Sequence, residues 1–135
     1  MIHKLATAAA VAILLSAGAA QAEIVHFSAT LAGASSPAKG ELSGELETVE
    51  RVFVYRANFT GLSGPPTMAH FHGPAAPGAN GPPVVVVKDP TSPVSGTAIL
   101  TPAQEADLLA GKWYFNVHTA ANPGGEIRGQ VERLN

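Results

Sequence analysis

The sequence predicts an all-β domain, a Greek-key or immunoglobulin-like β-sandwich of about eight short strands with one short helix. Three observations carry that expectation. Short runs alternate apolar and polar residues, the signature of half-buried strands. Clusters of Gly, Pro and Ser separate them, in a chain of 135 residues with 14 Gly and 11 Pro. One stretch only carries helix start and stop signals, whereas a parallel βαβ sheet needs several.

Residues 23–31 alternate, with Val25, Phe27, Ala29 and Leu31 toward the core. Residues 33–40 are expected as a turn or loop. Residues 41–47 alternate again, Leu42 and Leu46 opposite Glu41, Ser43, Glu45 and Glu47. Residues 51–59 are rich in β-branched and aromatic side chains and form a third strand. After a break at 61–66, a short strand is expected at 67–72 and a Gly/Pro/Ala loop at 73–83. Strands follow at 84–87 and 94–100. Thr101 is an N-cap before Pro102, with Gln104 and Glu105 in the first turn, so residues 103–110 are expected as the helix, ended by Gly111. Strands at 113–119 and 126–132 flank a tight loop.

The N-terminus has its own pattern. His3 and Lys4 precede an apolar stretch at 5–20 containing Val11, Ile13, Leu14 and Leu15, and Ala20-Gln21-Ala22 places small residues where a signal peptidase reads. The expectation is a signal peptide at 1–22, one domain at 23–135, and a periplasmic or secreted protein. No later segment is apolar and long enough to span a membrane. The chain has no cysteine, which excludes disulfides, thiolate metal sites and a cysteine nucleophile. Its net charge is −2 with histidine neutral, and no basic block gives nucleic acid a footprint.

Chemistry is concentrated on one face of two strands. In Met68-Ala-His-Phe-His72 a period of two sets Ala69 and Phe71 on one side and Met68, His70 and His72 on the other. In Trp113–Thr119, Phe115 and Val117 face the core while Tyr114, Asn116 and His118 face away. Histidines two apart on a strand have Cα atoms about 6.6 Å apart on one face. Their imidazoles can share an ion, and His118 supplies the third nitrogen if its strand lies alongside. Neutral imidazoles suit copper or zinc, and three of them leave a position open. The candidate metal ligands are therefore His70, His72 and His118, on the sheet surface. Asn116 and Glu126 are expected around them, with the 73–83 loop as a shield. A thioether from Met68 would favour Cu(I).

Other groups read as ordinary surface. His26 is expected on an edge strand, and Glu126 with Arg128 as a surface ion pair. No carboxylate pair, nucleophile elbow or phosphate loop is present; the glycines at 124–129 read as a turn into the last strand. A rival to the metal site is a metal-free module that presents Tyr114, Asn116, His118 and Arg128 to an extracytoplasmic protein partner.

Met68-Ala-His-Phe-His-Gly-Pro74, Asn80-Gly81, and the long run Trp113-Tyr-Phe-Asn-Val-His-Thr-Ala-Ala-Asn-Pro-Gly-Gly-Glu-Ile-Arg-Gly-Gln130 resemble the signature of the CHRD domain, a module of chordin and of small bacterial exported proteins. The resemblance implies an all-β, immunoglobulin-like or Greek-key domain in which His70, His72 and His118 are the motif histidines. A weaker similarity, a His-x-His strand with a later histidine, is to copper-zinc superoxide dismutases. The longer ligand pattern of those enzymes is missing here, so a dismutase-like redox enzyme stands as a third reading behind the metal-binding protein and the metal-free module, with little or no dismutase activity expected.

Overall fold

In the computed structural model, which describes residues 9–13 and 18–135, strand pairing begins with a tight hairpin. Strand β1 (Ile24–Gly33) pairs antiparallel with β2 (Ser36–Glu47), Gly33 opposite Ser36, so only Ala34 and Ser35 make the turn. The segment expected as a loop at 33–40 is thus mostly strand. Gly40 sits there because backbones approach closely, not because the chain breaks. A Cβ on Gly40 would stand 2.7 Å from the Cβ of Phe59 on the next strand.

Strand β3 (Val52–Thr60) pairs with β2, and β6 (Val94–Ile99) pairs with β3. On the other side, β4 (Pro66–His72) lies between β5 (Pro83–Val86) and β7 (Tyr114–Thr119). Strand β8 (Ile127–Gln130) joins β7 to β1, and the short β9 (Glu132–Arg133) continues on β1 past the buried Val131. The spatial order is β5-β4-β7-β8-β1-β2-β3-β6, every pairing antiparallel.

The all-β class with one short helix is as expected, but the arrangement is barrel-like rather than clearly a sandwich. The strands form one sheet curled into a nearly closed barrel, rather than two sheets stacked face to face. The cause lies in β1, which hydrogen-bonds to β2 along one edge and to β8 and β9 along the other. That long central strand stitches together what would otherwise be two layers. The same position removes His26 from any sheet edge.

The barrel is filled by the alternating residues the sequence singles out. Val25, Phe27, Ala29 and Leu31 of β1 are buried, as are Leu42 and Leu46 of β2. Phe53, fully buried, packs edge-on against Phe27, Phe71 and Trp113, with ring centroids 6.2, 5.3 and 5.9 Å away. Helix α1 (Pro102–Leu109) begins at Thr101 with a reciprocal capping box to Gln104, and seals the core with Leu108.

The signal-peptide expectation, residues 1–22, falls in large part on residues 1–8 and 14–17, outside those described. Among the described residues no helix is long and apolar enough to cross a membrane.

Candidate metal centre

Register places the polar residues of β4, β7 and β8 on one face. Met68 pairs with His118, His70 with Asn116, and His72 with Tyr114; Asn116 in turn pairs with Arg128 and Tyr114 with Gln130. Partners directly across an antiparallel pair point to the same side. The other side of β4 and β7 carries Ala69, Phe71, Phe115 and Val117, all buried in the barrel. Period-two alternation therefore does both jobs here: it fills the core and gathers the imidazoles.

His70, His72 and His118 come together as the sequence predicts, with one ligand atom from each lying within 4.8 Å of the others. His70 Nδ1 is 3.2 Å from His118 Nε2, close to the roughly 3–3.5 Å that two nitrogens bonded to one ion at about 2 Å require. Completing the set needs a movement of about an ångström. His70 has the freedom for it, because its ring makes no hydrogen bond other than the one to His118.

The other two rings are fixed from behind. His118 Nδ1–H donates to the carbonyl of Pro123 at 2.8 Å, and His72 Nδ1–H donates to the carbonyl of Gly81 at 2.9 Å. Each carbonyl holds the proton on Nδ1 and leaves Nε2 with a free lone pair, as is usual for metal-bound histidine. Asn116 Oδ1 lies 2.9 Å from His72 Nε2 and 3.1 Å from His118 Nε2. An amide oxygen facing two lone pairs sets acceptor against acceptor. A cation at that point relieves the conflict, and without one a turned amide does so by donating its NH2. The pKa of His70 lies below its ordinary value, through burial first and then through His118 and His72, which keeps this imidazole neutral near pH 7.

The site is not on the open sheet surface. His118 and Asn116 are 7% and 5% exposed, and all of β7 is buried on both faces. The 73–83 loop and the turn after β7 cover the outer side. Tyr114 stacks on His72, centroids 4.7 Å apart and rings parallel within 1°, and its hydroxyl accepts from the Gly81 N–H. The Arg128 guanidinium lies 3.8 Å over the Tyr114 ring and donates to Asn80 Oδ1 and to the Ala79 carbonyl. Arg128 thereby clamps the loop that fixes His72. Beside the imidazoles a cleft of about 360 Å³ is lined by His72, His118, Asn116, Tyr114 and Arg128 among others. The burial of Tyr114, Asn116 and His118 also takes most of the face imagined for a protein partner away from solvent.

Glu126 differs most from expectation. Among the described residues it makes no ion pair with Arg128 and no hydrogen bond to a histidine. It is buried, and its carboxylate accepts from the Ser63 hydroxyl and N–H, from Thr119 Oγ1 at 2.9 Å, from Ser36 Oγ at 2.9 Å and from Asn122 Nδ2 at 3.0 Å. It thus ties together the β1–β2 turn, the β3–β4 connection and the loop that carries the Pro123 carbonyl. His26, by contrast, is exposed and remote from the site, with Nδ1 3.6 Å from Glu45.

These donors, Ser63 foremost and against the opposing effect of burial, lower the Glu126 pKa from 4.5 to about 2. A folded-state value below the unfolded one contributes stability that is fully present above pH 4.5 and lost as pH falls toward 2. The expected result is a urea midpoint that declines over that window. In Glu126→Gln the decline should flatten, with a lower midpoint at pH 7. An unchanged slope would show that the carboxylate is not held as described.

Among known proteins, the sequence model of the CHRD domain matches residues 6–131. No curated protein and no solved structure matches the chain.

Proposed function

We propose that this chain, which belongs to the CHRD domain family, binds one copper or zinc ion through His70, His72 and His118. The observation that carries the reading is the pair of carbonyl-fixed rings. Pro123 and Gly81 hold the Nδ1 protons of His118 and His72, so both rings present an Nε2 lone pair on the side where Asn116 and His70 lie. A backbone carbonyl behind the second ring nitrogen is the usual support of a metal-bound histidine, where it fixes both tautomer and ring orientation. Three neutral imidazoles with no carboxylate suit a borderline or soft ion and disfavour magnesium and calcium.

Titration with Cu(II) and Zn(II) should give a one-to-one complex. The thermal midpoint should rise, since metal at 100 times its Kd stabilises by about 2.7 kcal/mol. Binding should weaken as pH falls through the histidine range near 6.5, because protons compete for the same lone pairs. The lowered pKa of His70 keeps that ligand available to a lower pH than an unperturbed imidazole. A chain that binds neither ion stoichiometrically at pH 7 defeats the proposal.

Export belongs to the same reading. The basic start, apolar run and Ala20-Gln21-Ala22 pattern support secretion, and a cysteine-free chain is indifferent to an oxidising compartment. N-terminal sequencing of protein recovered from the extracytoplasmic fraction should begin at Glu23. Recovery of the uncleaved chain from the cytoplasm would overturn this part.

A further inference from the structure

The geometry points to a fourth ligand: the Met68 thioether completes the centre and makes it a copper(I) site. The inference rests on the metal-binding reading above and narrows it. Met68 is directly opposite His118 in the β4–β7 register and two residues before His70 on the same strand. Its side chain therefore leaves the sheet on the ligand face, beside His118 and His70. Directly opposed residues have Cβ atoms about 4.5–5.5 Å apart, within reach of an unbranched side chain with three rotatable bonds.

Exposure agrees with that role. Met68 is 49% exposed, unlike the buried Ala69 and Phe71 beside it, so it can turn onto an ion without disrupting the core. No stronger donor competes for the position. The chain has no cysteine, and the one carboxylate nearby, Glu126, is engaged by Ser36, Ser63, Thr119 and Asn122. Three imidazoles and a thioether are all neutral. Adding a thioether to the imidazoles shifts the set toward a soft ion, Cu(I) above all. Zinc takes thiolate, imidazole and carboxylate, and gains little from a thioether.

The test uses the full-length chain and its Met68→Leu variant, a substitution of similar volume at a half-exposed position that should not disturb folding. Cu(I) affinity is measured by competition with bicinchoninate, Cu(II) and Zn(II) affinity with a chromophoric chelator. Loss of the thioether should weaken Cu(I) by about tenfold and leave Cu(II) and Zn(II) within about twofold. The one-electron copper potential then falls by about 59 mV. X-ray absorption of the Cu(I) form gives a second readout. Met1 and Met68 are the only sulfur atoms in the chain, so a copper–sulfur shell in the parent that vanishes in Met68→Leu assigns the ligand. A parent without a sulfur shell overturns the inference. So does a shell that survives the substitution, or equal loss of Cu(I) and Zn(II). If no metal binds the parent, the underlying metal reading falls as well.

Discussion

Replacing His118 with alanine is expected to abolish stoichiometric metal binding, weakening it by more than about 100-fold. That exceeds the 10–100-fold loss that follows removal of a group supporting a ligand from behind. His118 is the central ligand of the three. It is the most buried, its tautomer is fixed by the Pro123 carbonyl, and its Nε2 contacts both His70 and Asn116. His70→Ala should also weaken binding, but by less than His118→Ala, because His70 is only partly buried and must move to bind. Asn116→Ala keeps all three ligands and should fall in the 10–100-fold range. His26→Ala, remote from the site, should leave affinity unchanged. Isothermal titration of the four variants with one ion ranks them. Equal affinity in His118→Ala and the parent would place any bound ion elsewhere.

That ranking depends on features of very different visibility in the sequence. The ligand set is legible because alternation is local: Met68 to His72 and Tyr114 to His118 each declare a polar face, and a shared sheet does the rest. The fixation of the rings is not legible, because the acceptors are backbone carbonyls of Gly81 and Pro123, which any residue types could supply. The role of Glu126 is hidden for a related reason. Two residues before Arg128 in sequence, it suggests a surface ion pair, but its donors come from positions 36, 63, 119 and 122, brought together only by the curled sheet. The join between the two halves of the sheet is a pairing of β1 with β8 and β9, about a hundred residues apart in the chain, and such non-local register leaves no periodic trace. The alternation of β7 says which residues face away from the core, but not that loops then bury that face too.

The same curled sheet makes the interior sensitive at one point, Phe53. Truncation to alanine should cost about 3–5 kcal/mol, the range for deleting a buried aromatic ring. A loss that size is a large share of the 5–15 kcal/mol typical of a domain. Phe53 is fully buried and meets Phe27, Tyr55, Phe71 and Trp113, so its removal strips packing from both halves of the barrel at once. One neighbour gives the prediction a sharper form. On β2, a Cβ added to Gly44 would stand 2.6 Å from the Phe53 ring, which explains a glycine in mid-strand. Gly44→Ala should therefore destabilise the parent by overpacking, about 1–3 kcal/mol. In the Phe53→Ala background the obstructing ring is gone, and the extra methyl enters the vacated space. The double variant should then be no less stable than Phe53→Ala alone, a coupling far from additive. Urea denaturation of the four proteins completes the cycle. Additive losses would mean that the methyl and the ring do not compete for the same volume, and that Gly44 serves the strand for some reason other than contact with Phe53.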